Sequence, residues 1–243
     1  MSKAHVMNWE PAGPVAQAYE HSQALFSVIT GPMGSGKTTA SARRCIRAAL
    51  WQDPSPLDGV RYARVLAIAP EGRQLRDQVV PSFFQAVEGL HFDSTHLGAG
   101  DRDVEFKFYD AQGPVCLKVM FRAVHGLSVE DFFVGREVTG VWLPDLSWWE
   151  DDQVALRSIR YSGRYPAPRH RGLGKEAFSG VWGDCADDRR PAWLDGLQHQ
   201  EFRQPKGFDP KAADGFAADA ENVDALRAVA PDFYRRLNGV ARR

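Results

Sequence analysis

The pattern of apolar and polar positions along the chain predicts short buried strands that alternate with helices. Continuous apolar runs, typical of strands covered on both faces, occur at residues 25–29, 64–69, 115–123, 139–143 and 180–183. Helical spacing occurs at residues 39–50 and 73–88, and Pro81 is expected to kink or restart the second helix. The alternation predicts crossover connections and a mainly parallel central sheet flanked by helices.

The other segments have less regular patterns. Residues 92–109 include a glycine-rich stretch at 98–101, which is expected to be a surface turn, and residues 193–200 could be helical. Residues 205–220 are expected to form an exposed loop, followed by helices at 221–229 and 231–237. At 243 residues, the chain can form one large α/β domain with a small appendage. We therefore expect a core over residues 1–200 and a C-terminal lid or linker segment over residues 201–243.

A glycine-rich segment between the first strand and the next helix has the spacing of a complete phosphate-binding loop. It consists of Gly31, Pro32, Met33, Gly34, Ser35, Gly36, Lys37, Thr38 and Thr39. The glycines let successive backbone N–H groups point at a triphosphate near the helix N-terminus. Lys37 is expected to reach the β- and γ-phosphates, and Thr38 to place its hydroxyl on Mg²⁺. The segment therefore predicts a site for ATP and Mg²⁺ rather than a glycine-rich turn without a ligand.

A carboxylate is also expected at the end of a neighbouring strand, to hold Mg²⁺ and polarise the attacking water. The strand at 139–143 runs into Pro144 and Asp145, so Asp145 is the catalytic and metal-binding candidate. Two adjacent acids are the usual arrangement, and Asp145 has no acidic neighbour. Either Asp145 works with an acid from elsewhere, or hydrolysis is weak until another subunit contributes. The acids considered for this role are Glu137, Glu150 and Asp151. The structural alternative is a turn residue that ends the strand.

Arginines are concentrated after this acidic strand. Candidates to contact DNA phosphates, or to complete the active site of a neighbouring subunit, are Arg157, Arg160 and Arg164, with Arg43 and Arg44 on the helix after the loop. A solvated surface is the alternative for these charges. Trp142, Trp148 and Trp149 are expected to pack in the core or in a lid rather than to stack on bases.

Composition narrows the possible partners and the environment. The net charge of -1 gives no general attraction to nucleic acid, so any DNA contact must be local. The three cysteines have no paired spacing, which argues against a zinc site or a disulfide framework. The sequence has neither the apolar core of a signal peptide nor a membrane-spanning run, so we expect a soluble, cytoplasmic protein without a membrane partner.

The order of these segments resembles the ATPase domain of the large terminase subunit, the DNA-packaging motor of tailed bacteriophages. The similar segments are residues 64–69 with 73–77, 121–123 with 137–145, 163–166, 183–188, 202–207, and 220–222 with 234–237. The resemblance implies an ASCE-like P-loop NTPase fold. Asp145 falls where the family has its catalytic Glu, and Pro144 where it has a metal-associated polar residue. Asp184 falls in the coupling segment, where loss of the γ-phosphate would be sensed.

The implied function is an ATP-hydrolysing motor subunit that translocates double-stranded viral DNA into a procapsid. It would form a homo-oligomeric ring on the portal protein, together with a small terminase subunit, in the host cytoplasm. Family members continue into a nuclease domain, so this chain resembles the ATPase domain alone, either as a fragment of a longer protein or with the nuclease encoded separately. Two other functions stay open: a small-molecule P-loop kinase with Asp145 as the acceptor-site base, and a non-hydrolysing nucleotide-binding regulatory module.

Overall fold

The fold is known from a computed structural model, which describes residues 11–172 and 177–204. The strands are β1 Phe26–Gly31, β2 Arg61–Ala69, β3 Phe92–Gly98, β4 Asp101–Asp110, β5 Gly113–Ala123, β6 Gly140–Leu143, β7 Gly180–Ala186 and β8 Gln200–Arg203. The α-helices are α1 Pro14–Glu20, α2 Lys37–Leu50, α3 Gly72–Gln74, α4 Val80–Ala86, α5 Val129–Phe133 and α6 Gln153–Tyr161. Within these residues no helix is long and apolar enough to cross a membrane.

The strands form one sheet in the order β3-β4-β5-β2-β6-β7-β1-β8. The six strands from β5 to β8 in this order run parallel, and β3 and β4 extend the sheet as an antiparallel hairpin. β7 lies between β1, which leads into the phosphate loop, and β6, which leads to Asp145. The predicted architecture, a mainly parallel central sheet flanked by helices, is therefore confirmed. Most of the predicted C-terminal lid, residues 205–243, lies outside the described residues.

Helices cover both faces of the sheet. On one face, α1, α2 and α4 bury a core that includes Ile46, Phe83 and Trp182. On the other face, α5 and α6 bury a second cluster around Phe133 and Val154. Trp142 is fully buried, as expected for a core residue.

The strand prediction missed β3, β4 and β8. β3 and β4 form a hairpin where an irregular segment was expected, and the turn predicted at 98–101 connects them. Residues 193–200 do not form an α-helix. They contain a 3₁₀-helix, Ala192–Gly196, and the first residue of β8. The expected boundary between residues 200 and 201 therefore falls inside a strand that pairs with β1, and most of the expected C-terminal segment lies outside the described residues.

The helix predicted at 73–88 contains a π-helical turn, Leu75–Val79, between α3 and α4. The Val80 N–H donates to the Leu75 carbonyl five residues earlier, and Pro81 follows without an N–H to donate. The irregularity predicted at Pro81 thus lies just before it. This wider turn carries Gln78 to the nucleotide cleft described below.

Candidate nucleotide site

The segment between β1 and α2, predicted to be a phosphate-binding loop, curves at its glycines. Gly31 (φ 151°) and Gly36 (φ 82°) lie in the region that favours glycine. A Cβ atom at Gly31 would lie 2.4 Å from the Cβ of Gln204, and one at Gly36 would lie 2.7 Å from the Cβ of Ala12. Gly36 is also the N-cap of α2, so the loop ends with unpaired helix N–H groups. Both the curvature and the close packing therefore require glycine.

Lys37 lies against the loop and is mostly buried. Its Nζ donates to the Pro32 carbonyl at 2.7 Å and lies 3.4 Å from the Ser35 hydroxyl. Burial lowers the pKa of Lys37, and the carboxylate of Asp184 opposes this shift. A phosphate would offer the ammonium group a stronger acceptor than the carbonyl. Lys37 is thus placed for the role that its sequence position predicts.

Thr38 connects the loop to β7. Its hydroxyl donates to Asp184 Oδ1 at 3.0 Å, and Trp142 Nε1 donates to Oδ2 at 3.3 Å. Only 3% of Asp184 is exposed. Burial raises the pKa of the Asp184 carboxyl, although hydrogen bonds from Ser41, Thr38 and Trp142 oppose the shift. The buried carboxylate therefore directly contacts the threonine expected to bind Mg²⁺.

Asp145 follows β6 by two residues and has a left-handed backbone (φ 46°). Its Oδ1 accepts hydrogen bonds from the backbone N–H of Ser147 at 3.2 Å and from the Ser147 hydroxyl at 2.6 Å. Its Oδ2 lies 3.5 Å from a guanidinium nitrogen of Arg189. Asp145 thus caps a 3₁₀-helix, as the turn-residue alternative proposed, and also faces the cleft, as the catalytic hypothesis requires.

These groups line one cleft of about 330 Å³ at the carboxyl ends of the central strands. The lining residues include Gly34, Lys37, Thr38, Pro144, Asp145 and Asp184, together with Gln78, Ser82, Trp148 and Arg189. The acids considered as helpers to Asp145 do not line the cleft: Glu137, Glu150 and Asp151 are exposed elsewhere. Asp145 therefore has Asp184, rather than any of these three, as its acidic neighbour in the cleft.

The oxygen donors of this cleft fit a magnesium–nucleotide complex. Mg²⁺ is usually bound by one or two carboxylates together with phosphate oxygens, rather than by protein groups alone. Thr38, Asp184 and Asp145 offer a hydroxyl and two carboxylates beside the loop. Among the described residues no cluster of three or more His, Cys, Asp or Glu side chains could hold a metal by itself. These donors therefore suit a metal ion that binds as a complex with the nucleotide phosphates.

Two solved structures of the large terminase from a thermophilic bacteriophage resemble this chain. The first has a TM-score of 0.55 at 11% sequence identity, and the match covers 90% of this chain and 50% of that chain. The second, in complex with ADP, has a TM-score of 0.50 at 12% identity and covers 83% of this chain and 44% of that chain. The fold is terminase-like. The chain spans about half the length of these terminases, and its sequence matches no protein-family model and no curated protein.

In this terminase-like fold, the predicted arginines lie away from the cleft. Arg157 pairs with Glu130 at 3.0 Å, and the Arg164 guanidinium lies 4.1 Å from the centre of the Tyr161 ring. Arg160 is exposed on α6, and Arg43 is partly buried on α2. Whether any of these four contacts DNA or a neighbouring subunit stays a prediction.

The prediction that Arg44 contacts DNA or a neighbouring subunit is wrong, because Arg44 is fully buried. Its guanidinium donates to the carbonyls of Tyr19 and Ser22 at 3.1 and 2.6 Å, and to the Ser27 hydroxyl at 3.2 Å. The sequence identified the charge but not the acceptors that surround it. A side chain held in this way cannot reach DNA or a second subunit, so we remove Arg44 from the candidates.

Sequence reasoning also missed Arg189 and Gln78, which line the cleft. Arg189 follows Asp184 shortly after the end of β7, at the sheet edge where ligands of parallel α/β folds bind. That position was a usable signal. Gln78 had none, because its place in the cleft depends on how the π-helical turn and α4 pack against the sheet.

Proposed function

We propose that the chain is an ATP-hydrolysing motor subunit that translocates double-stranded viral DNA into a procapsid. The main support is the convergence of Lys37, Thr38, Asp184 and Asp145 on one cleft at the carboxyl edge of a terminase-like sheet. The phage terminase that shares this fold was solved in complex with ADP, which supports a nucleotide as the ligand. The nucleotide-binding residues would be those of the loop from Gly31 to Thr39.

The chain's own groups would divide the work at the nucleotide. Lys37 would bind the terminal phosphates, because its ammonium group already lies within the loop. Thr38 and the acids would hold Mg²⁺, which would neutralise phosphate charge. Asp145 would orient the attacking water. Asp184 would detect loss of the γ-phosphate, since it contacts Thr38 and belongs to the strand between β1 and β6.

The proposed motor would act on DNA together with other packaging proteins in the host cytoplasm. Double-stranded DNA would pass through a homo-oligomeric ring docked on the portal protein, with a small terminase subunit delivering the DNA in the host cytoplasm. We also propose that the ATPase core extends from residue 1 through β8 and that the residues after Arg203 act as a lid or linker.

The test is Mg²⁺-dependent ATP hydrolysis with and without linear double-stranded DNA. We expect turnover that rises with DNA and falls by at least about tenfold in Lys37→Ala and Asp145→Ala. Arg73→Ala is the control, because Arg73 is exposed and does not line the cleft. Turnover that DNA does not change would contradict the motor, and binding of ATP without turnover at high protein concentration would favour the regulatory module.

The regulatory module is the second candidate because Asp145 already has partners on both oxygens. A carboxylate held in this way has reduced capacity to bind water. In that function ATP would bind without being consumed, and Asp145→Ala would leave nucleotide affinity and the absence of turnover unchanged.

A further inference from the structure

Arg189 lines the nucleotide cleft, on a segment that directly follows the strand of Asp184 and contacts Asp145. It ends the 3₁₀-helix Asp187–Arg189, which directly follows β7. Its guanidinium lies 3.5 Å from Asp145 Oδ2, and half of the side chain is exposed. In the preceding strand, Asp184 holds Thr38. The segment thus brings a second cation, besides Lys37, to the lining of the cleft.

The Arg189–Asp145 contact is loose, unlike the contacts of the next arginine. Arg190 donates to Glu201 and to Asp195 at 3.0 and 2.7 Å, which fixes its guanidinium outside the cleft. For Arg189, Asp145 is the carboxylate within ion-pair distance among the described residues. A half-exposed pair at this distance contributes little stability, so a stronger anion can replace the carboxylate at small cost.

We propose that Arg189 acts within its own subunit by exchanging partners. Without nucleotide it pairs with Asp145, and when ATP binds its guanidinium moves to the terminal phosphate. Arginine suits this role because its planar donors match phosphate oxygens and keep their charge. This inference rests on the proposed function, since it requires ATP in the cleft.

The exchange links ATP binding to the state of Asp145. Ser147 holds Asp145 Oδ1 through two hydrogen bonds, so departure of Arg189 leaves Oδ2 as the free oxygen. Oδ2 can then accept a hydrogen bond from water beside the nucleotide. ADP lacks the terminal phosphate, so it leaves Arg189 on Asp145. The residue therefore distinguishes ATP from ADP.

The first test compares dissociation constants of ATPγS and ADP, each with Mg²⁺, for the wild-type protein, Arg189→Ala and Arg189→Lys. We expect Arg189→Ala to weaken ATPγS binding by about tenfold or more and ADP binding by less than about twofold, with Arg189→Lys in between. Arg73→Ala is the matched control, because Arg73 contacts Asp77 at 3.4 Å on the surface, and it should leave both constants unchanged.

The second test is a double-mutant cycle on ATPγS affinity. Asp145→Asn removes the competing charge in both backgrounds and weakens any Mg²⁺ contact of Asp145 equally in both. Its effect on ATPγS binding should therefore be more favourable when Arg189 is present than in the Arg189→Ala background. Equal factors in the two backgrounds, or an unchanged ratio of ATPγS to ADP affinity in Arg189→Ala, would overturn the exchange and leave the proposed function intact. If the wild-type protein binds neither nucleotide, both fail.

Discussion

The carboxylate of Asp184 should lower the stability of the nucleotide-free protein. Burial raises its pKa, which means that folding disfavours the charged form. Because its pKa is higher in the folded state, the folded protein binds this proton more tightly than the unfolded chain does. The free energy of unfolding therefore falls as pH rises from the unfolded pKa through the folded pKa, and stays reduced above it. At a pH above the folded pKa, Asp184→Asn removes this charge. We therefore expect the variant to be more stable than the wild-type protein.

The surrounding hydrogen bonds can accommodate the amide. Trp142 Nε1 is an obligatory donor, so the Asn oxygen must face it, whereas the Thr38 and Ser41 hydroxyls can accept hydrogen bonds from the Asn NH₂ group. With all partners satisfied, replacing a buried charge is worth on the order of 1 kcal/mol of added stability. For a chain of this length that corresponds to a rise in Tm of about 2–4 °C.

The assay is thermal unfolding with and without saturating Mg²⁺–ATPγS. A ligand at one hundred times its Kd stabilises the folded state by about 2.7 kcal/mol, so the wild-type Tm should rise clearly. Asp184→Asn should start higher and gain less from the ligand, because it loses the carboxylate beside Thr38. Asp77→Asn, an exposed site, is the control. A lower Tm without nucleotide, or an undiminished ligand shift, would refute the reasoning.

Three further predictions concern Lys37, Arg44 and His199. Lys37→Ala should abolish the rise in Tm caused by Mg²⁺–ATPγS, and an unchanged rise would mean that the nucleotide binds elsewhere. Arg44→Ala should cost about 3 kcal/mol in urea unfolding because it leaves buried acceptors unpaired, whereas Arg160→Ala should change stability by less than about 0.5 kcal/mol. The hydrogen bond to Glu201 raises the pKa of His199, so its contribution is full below pH 6.5 and is lost as pH rises through the folded pKa. Accordingly, the stability difference between the wild-type protein and His199→Gln, measured by denaturant titration, should be larger at about pH 5.5 than at about pH 8.5, and no pH dependence would exclude this pair.

The sequence predicted best those features whose residues are consecutive in the chain. The loop from Gly31 to Thr39 and the buried parallel strands are continuous patterns, and both were predicted. β4 was also readable, since Val104, Phe106 and Phe108 alternate with polar residues, but a search for continuous apolar runs passes over alternation. β8 has one buried apolar side chain, Phe202, and its place depends on backbone pairing with β1.

The site was harder to predict because its partners are distant in sequence. Asp184 was expected to sense the nucleotide, but its bond to Thr38 joins residues far apart in the chain. Arg44 looked like a surface cation because sequence spacing does not reveal the carbonyls of Tyr19 and Ser22 that receive it. The chemistry of each side chain could be predicted from the sequence, whereas its hydrogen-bond partners could be identified only from the fold.

The turn of the β3–β4 hairpin touches the start of α3 backbone to backbone. A Cβ atom at Gly72 would lie 2.0 Å from the Ala99 carbonyl oxygen, and one at Gly100 would lie 2.3 Å from the Gly72 carbonyl oxygen. The helix that begins at this contact continues into the π-helical turn that brings Gln78 to the cleft. Insertions or side chains added at this distant turn would therefore shift the helix. The length of the β3–β4 turn is therefore constrained by the nucleotide site, although the turn does not line the cleft.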